Sequence, residues 1–186
     1  MNIYFVRHGK TIWNLEGRIQ GWSDTPLLED DKSAYIAAEK IKGIKFDCIC
    51  SSDLGRAIKT KQIILNELEL EDENLTFEEF REVGFGELEG AHIDYIKANY
   101  ADFWRKYKLY IENFDPGKYF KGFESVNTVR KRALKKINEL KQIYGENANI
   151  LVISHGSLIS IMQNIGKTLT EPAIIPNNGE VVLLKI

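Results

Sequence analysis

Ile150-Leu151-Val152-Ile153-Ser154-His155-Gly156 is the stretch that decides the fold. Four consecutive apolar residues, rich in β-branching, read as a strand covered on both faces, as in a parallel sheet sandwiched between helices. The imidazole and glycine that follow stand just past the strand's carboxyl end. A second apolar run, Ile3 to Val6, leads into the same sequel, Arg7-His8-Gly9. Working outward, Phe46 to Cys50 reads as another strand and Leu75 to Phe80 as a third in chain order, which makes Ile150–Ile153 the fourth and Val181–Leu184 the last. Helical spacing lies between them. Ala34, Ala37, Ala38 and Ile41 share one face of Ser33–Lys42, with Gly43 as its stop. Asp53 is placed to cap a helix carrying Leu54, Ala57, Ile58, Ile64, Leu65 and Leu68. Glu124–Tyr144 repeats Val126, Val129, Ala133, Ile137 and Leu140 at intervals of three and four, and Ser157–Ile165 is a further helix. Such alternation predicts an α/β fold with helices on both sides of a largely parallel sheet. Ligands of such sheets bind beyond the carboxyl ends of the strands.

Bulk properties narrow the function. The 186 residues suit one compact domain, and 44% apolar content suffices for a core. A net charge of -2 without a basic tract argues against nucleic acid or an anionic membrane as partner. No apolar run approaches membrane-spanning length, and Ile3–Val6 is too short for the core of a signal peptide. Cys48 and Cys50 do not form a C-x-x-C pair and read as reduced core thiols, so the expected compartment is the cytoplasm.

Chemistry must therefore be found locally. One histidine past a strand is ordinarily a hydrogen-bonded structural residue. His8 and His155 in matching positions, each followed by a glycine, point instead to a site; His92, in a polar helical stretch, reads as surface. Arg7 adjoins His8, and Arg56 sits on the first turn of the helix after the second strand, where free N–H groups favour an anion. The guanidinium fork matches two phosphate oxygens. Competing motifs fail. Gly166-Lys167-Thr168 has Ile161 where a Walker A loop needs glycine, Gly84-Phe85-Gly86 lacks the third glycine of a dinucleotide fingerprint, and no nucleophile elbow or zinc-ligand spacing occurs.

Taken together, Arg7-His8-Gly9-Lys10-Thr11, Trp13-Asn14, Gly17-Arg18, Gln20-Gly21 and Asp24-Thr25-Pro26-Leu27 resemble the opening of the histidine phosphatase superfamily, the phosphoglycerate mutase-like group. Ser51-Ser52-Asp53-Leu54-Gly55-Arg56-Ala57, then Arg81-Glu82 with Phe85-Gly86 and Glu89-Gly90, then Ser154-His155-Gly156, resemble its later blocks in the same order. The resemblance implies a three-layer α/β/α sandwich, 1–186, with a small helical cap insertion at approximately 84–123. It also implies a catalytic set: His8 as nucleophile, Arg7 and Arg56 as phosphate clamps, His155 as a further oxygen ligand and Glu82 as general acid and base. Asn14, Gln20 and Gly21 would line the phosphate loop. Without the resemblance, Glu82 reads as an exposed carboxylate. No metal and no cofactor are implied. Lys10, Leu28 and Ser157 depart from the common pattern and leave the subfamily open.

The expected activity is hydrolysis of a small phosphorylated metabolite through a phosphohistidine, with a protonated His155 helping to neutralise the phosphoryl group. The alternatives are a phosphoglycerate mutase and, from another class, a non-catalytic phospholigand-binding module. Mutases of this group carry an Arg pair in the cap that is missing between Glu82 and Glu124, and binding alone needs neither nucleophile nor acid. Aromatics from Phe85 to Phe120 suit a cap; Lys118 and Lys121 could reach an anionic substrate but read first as surface lysines. The chain is expected to be a monomer or homodimer.

Overall fold

The computed structural model describes all residues, 1–186. Four strands, β1 (Asn2–Arg7), β2 (Cys48–Ser51), β3 (Asn149–Ser154) and β4 (Val181–Lys185), form one sheet in the order β2-β3-β1-β4. β1 and β2 both pair parallel with β3, while β4 runs antiparallel along the outer edge of β1. The apolar run at Ile150–Ile153 lies at the heart of this sheet, and all four residues are fully buried. Each such side chain contributes about 1.5–3 kcal/mol by leaving water.

Strand alternation divides the core in two. Ile3, Phe5, Cys48, Cys50, Ile150 and Val152 face α6 (Val126–Tyr144) and α7 (Gly156–Gln163). Val6, Leu151 and Ile153 face α2 (Ser33–Ile41) and α3 (Gly55–Glu67). The result is the three-layer α/β/α arrangement. Ser125 caps α6 by accepting from the Thr128 N–H, and α6 ends at Gly145 with φ 90°, a conformation that favours glycine. The two cysteines are buried between sheet and helix.

Two local expectations are corrected. Residues 75–80 are not a strand. Ser51 N–H donates to Leu75 O at 3.2 Å and Phe77 N–H to Ser51 O at 2.9 Å, after which Glu78–Phe80 coil into one 3-10 turn. Phe77 and Phe80 stack edge-to-face and Phe80 meets Phe5, so burying Phe80 turns the chain away from the sheet edge and toward the ends of the strands. Nor does Asp53 cap α3. Arg81 binds both oxygens of Asp53, and Asp24, from the loop after the short helix α1 (Ile12–Leu15), takes over, accepting from Gly55 N–H at 2.6 Å and Arg56 N–H at 3.4 Å.

The segment between Glu82 and α6 carries α4 (Ile93–Asn99) and α5 (Ala101–Lys108), knit by edge-to-face contacts of Phe103, Tyr107, Phe120 and Phe123. Phe85 and Phe123 pair at the base. Gly86, with φ 54°, permits this closure, because a Cβ there would lie 2.1 Å from Lys121 O.

Candidate active site

The carboxyl ends of β1, β2 and β3 converge as the two strand-end histidines require. A cavity of about 220 Å³ is lined by Arg7, His8, Asn14, Gln20, Gly21, Arg56 and Glu82. His155 lies beneath it, fully buried, with its ring 5.1 Å from that of His8. All eight residues singled out from the sequence therefore belong to one constellation. His92 is exposed, and Lys118 and Lys121 are exposed as well. A larger cleft of about 490 Å³ on the far side of Arg56, among Leu27, Leu28, Tyr35 and Ile63, contains neither strand-end histidine.

His8 is held from several sides. Its N–H donates to Ser154 O at 2.9 Å, and Gly9 N–H donates to Thr60 Oγ1 at 2.9 Å. Nδ1 lies 2.7 Å from Gly9 O. A carbonyl can only accept, so Nδ1 carries the hydrogen and Nε2 keeps a free lone pair. Burial, together with Arg56 and Arg7, holds the His8 imidazole well below its ordinary pKa, although the Gly9 bond opposes this. His155 is shifted the same way by burial and then by Arg56, His8, Arg132 and Arg7. Burial and these cations therefore disfavour a protonated His155 as long as no anion lies in the cavity. Neither of its ring nitrogens has a hydrogen-bond partner.

The arginines are only partly committed. Arg7 Nη1 donates to Pro176 O at 2.7 Å, and its Nε has no partner. Arg56 is buried; Nη1 donates to Ser23 O at 2.8 Å and to Asp24 Oδ1 at 3.0 Å, Nη2 to Gly21 O at 2.7 Å, and Nε to nothing. Arg56 therefore shapes the 20–24 loop as well as facing the cavity. Gly21, with φ 59°, lets Glu89 approach that loop, where Glu89 accepts from Trp22 N–H and Ser23 N–H. Thr11 Oγ1 and Asn14 Nδ2 both donate to Gln20 Oε1, at 2.9 and 3.2 Å.

Glu82 is mostly buried, contrary to its surface-like reading. Oε1 accepts from Val83 N–H at 2.9 Å and Leu158 N–H at 3.0 Å, and Oε2 from Ser157 N–H at 3.0 Å. The carboxylate thus caps the first turn of α7, where the helix's partial positive charge favours it. Its main chain is clamped separately. Arg132 donates to the carbonyls of Glu79, Arg81 and Glu82 at 2.7–2.8 Å and forks onto Glu124, while Trp22 Nε1 donates to Glu82 O at 2.9 Å. Glu124 in turn accepts from Gly84 N–H at 2.8 Å.

Sequence reading missed several of these residues. Asn178 Nδ2 donates to His8 O at 2.9 Å and lies 3.2–3.3 Å from Gly9 O and Asn14 Oδ1. Its one signal is topological: a turn entering an edge strand antiparallel to β1 must lie beside the end of β1. Arg132 and Glu124, eight residues apart, carry no local motif. Lys108, which lines the cavity, is one lysine among many in a helix end.

The family comparison agrees with this geometry. The profile of the histidine phosphatase superfamily (branch 1) matches residues 3–184. A probable phosphoglycerate mutase GpmB of Erwinia tasmaniensis is 30% identical over 166 residues, covering 87% of this chain and 73% of that protein. The structure of a phosphoglycerate mutase from Bacillus anthracis superposes with a TM-score of 0.69 at 26% identity, covering 100% and 92% of the two chains. A mycobacterial glucosyl-3-phosphoglycerate phosphatase shares the fold, with a TM-score of 0.81 over 98% of this chain and 91% of that one, at 23% identity. The chain belongs to the histidine phosphatase superfamily.

Proposed function

We propose that this protein is a phosphomonoester phosphatase that works through a phosphohistidine on His8. The observation that carries the reading is the His8 ring: Nδ1 is tied to Gly9 O at 2.7 Å, so Nε2 has a free lone pair in a cavity shared with Arg7 and Arg56. In the first step Nε2 forms a bond to phosphorus as the ester P–O bond breaks, and Glu82 passes a proton to the leaving alkoxide. In the second step water attacks phosphorus, Glu82 takes back a proton, the N–P bond breaks and inorganic phosphate leaves. Arg7 and Arg56 offer N–H groups to the phosphoryl oxygens through the transition state. His155, beside His8 with both ring nitrogens unpartnered, is the natural further ligand, and a phosphoryl dianion would supply the negative charge that favours its imidazolium form.

Residues 84–123 are read as a cap on a single domain, since Phe85, Ile93, Trp104, Tyr107 and Lys108 line the cavity from that segment. Asn14, Gln20 and Gly21 belong to the phosphate loop in this reading. No group of three or more His, Cys, Asp or Glu side chains is arranged to hold a metal ion. No helix is long and apolar enough to cross a membrane, and the two buried thiols suit the reducing cytoplasm. A mutase is the second reading, favoured by the name of the Erwinia relative. Steady-state hydrolysis of p-nitrophenyl phosphate decides the main point: activity persists in EDTA and is abolished in His8→Ala with the fold retained. Activity that vanishes in chelator and returns with a divalent ion overturns the mechanism. Stimulation by 2,3-bisphosphoglycerate of phosphoryl movement between 2- and 3-phosphoglycerate, outpacing hydrolysis, selects the mutase.

A further inference from the structure

The turn that leads into β4 carries an amide nitrogen that faces only acceptors. Gly179 N–H donates to Arg7 O at 2.9 Å and Arg7 N–H to Glu180 O at 3.2 Å, while Glu180 N–H closes the turn onto Asn177 O at 3.0 Å. These bonds seat half-buried Asn178 beside the end of β1. Its Nδ2 lies 2.9 Å from His8 O, 3.3 Å from Gly9 O and 3.2 Å from Asn14 Oδ1. Main-chain carbonyls cannot donate, so the amide nitrogen of Asn178, not its oxygen, must occupy this place.

Asn14 is oriented by the same logic. Thr11 N–H, which can only donate, lies 3.2 Å from Asn14 Oδ1, so this oxygen faces Thr11 and Asn178. The NH₂ group of Asn14 is thereby turned the other way. One of its hydrogens goes to Gln20 Oε1 at 3.2 Å, an oxygen that also accepts from Thr11 Oγ1. The second hydrogen has no protein partner, and Asn14 lines the cavity with His8, Arg7 and Arg56. Reversed, the amide would present an oxygen to Gln20 Oε1 and to the phosphoryl oxygens, and would repel both.

We propose that Asn178 is a positioning residue for phosphoryl transfer: by donating to Asn14 Oδ1 it holds the Asn14 amide with its NH₂ toward the phosphoryl oxygens. This rests on the phosphatase reading of His8. Asn178 does not itself line the cavity and acts through Asn14. Its bonds to the carbonyls of His8 and Gly9 fix which of its two amide atoms Asn14 meets, so the direction of the Asn14 amide is tied to the main chain of the nucleophile. A donor held in advance where negative charge develops stabilises the transition state without reorganisation.

The test uses Asn178→Asp, which keeps the shape and replaces the donor by an acceptor-only carboxylate. Asn178→Leu is the uncharged second variant and decides the matter should the carboxylate prevent folding. Each is also combined with Asn14→Ala to close a double-mutant cycle. The readouts are kcat/KM for p-nitrophenyl phosphate and propyl phosphate, and the inhibition constant of orthovanadate, which mimics the five-coordinate phosphoryl group and whose value is insensitive to partial loss of folded protein. Loss of a charge-assisted hydrogen bond predicts that kcat/KM falls about ten- to hundredfold and that vanadate binding weakens to a similar extent. Both esters should suffer alike, because the leaving oxygen is not involved, in contrast to Glu82→Gln. In the Asn14→Ala background the same substitutions at position 178 should cost at least about threefold less, since the two residues act as one unit. Three results overturn the assignment: wild-type kcat/KM and vanadate affinity in both variants, a loss confined to propyl phosphate, or losses that multiply in full with that of Asn14→Ala. Hydrolysis of either ester by the wild type leaves the phosphatase reading standing in each case. Failure of the wild type to hydrolyse either ester overturns both.

Discussion

Glu82→Gln separates the two chemical steps and gives a readout for each. In the wild type, Oε1 accepts two backbone N–H groups, from Val83 and Leu158, and Oε2 accepts one, from Ser157. The amide oxygen of glutamine keeps the position with two donors, which leaves its NH₂ facing Ser157 N–H. One charge-assisted hydrogen bond is lost, about 1.5–3 kcal/mol of stability, which leaves a domain of ordinary stability folded. The catalytic loss is larger and depends on the ester. General acid catalysis is worth roughly 10²–10⁴-fold, so an alkyl phosphate, whose leaving oxygen needs a proton, should slow by that factor. A nitrophenolate leaves unaided, so phosphorylation of His8 by p-nitrophenyl phosphate should be nearly unaffected. Attack by water on the phosphohistidine still needs Glu82 as base. Stopped-flow absorbance should then show a burst of nitrophenol of about one equivalent per active site, followed by slow turnover. Equal slowing of both esters without a burst would refute the reasoning and make Glu82 a structural cap of α7, turning attention to Glu87 or Glu89.

Arg132→Met should damage stability and catalysis together. It removes the guanidinium from three carbonyls and from Glu124, leaving Glu82 O with Trp22 and Glu124 with Gly84 N–H, and breaks a mostly buried ion pair, a loss of about 3–5 kcal/mol by urea denaturation; with the Glu82 segment loosened, kcat for alkyl esters should fall more than KM changes, and wild-type kcat in the folded fraction would contradict the positioning role. Acid sensitivity follows from the two buried imidazoles. Both are held well below the ordinary histidine value, by burial first and then by Arg56. As pH falls through about 6.5 an unfolded histidine takes up a proton that the folded one refuses, so stability is full above that pH and is lost on going down toward the folded-state pKa. The loss approaches about 1.4 kcal/mol per pH unit for each histidine. His155→Gln should therefore show a shallower decline of the urea midpoint between pH 7 and 5 than the wild type; equal slopes would deny His155 its suppressed protonation.

Much of this site was legible because it is built from strand ends. The Ile150–Ile153 run announces a buried central strand, and the residue after such a strand has few places to go, so His8 and His155 could be brought together on paper. Arg56 was legible for the same reason, one turn into the helix after β2. The rest was hidden where tertiary packing overrides local pattern. Residues 75–80 have the composition of a weak strand, yet the burial of Phe80 against Phe5 and Phe77 converts them into a turn. Asp53 is a plausible helix cap until Arg81 claims it from 28 residues away. Glu82 looks solvated in sequence because two of its three partners are backbone N–H groups 75 and 76 residues downstream, which leave no trace in its neighbourhood. Asn178 is a similar case: it reaches His8 through one long-range placement, and nothing in residue type or spacing distinguishes it from its neighbours.

The central claim is that a covalent phosphate forms on Nε2 of His8, and direct capture tests it best. Wild-type and Glu82→Gln proteins are mixed with p-nitrophenyl phosphate, quenched in alkali within milliseconds to seconds, digested and sequenced by mass spectrometry. The account predicts a single phosphate on His8, stable in base and lost in acid, accumulating in Glu82→Gln to near one equivalent. It is missing from His8→Ala. A phosphate on any other residue, or steady hydrolysis in both proteins with no phosphoprotein at any time, would contradict the account.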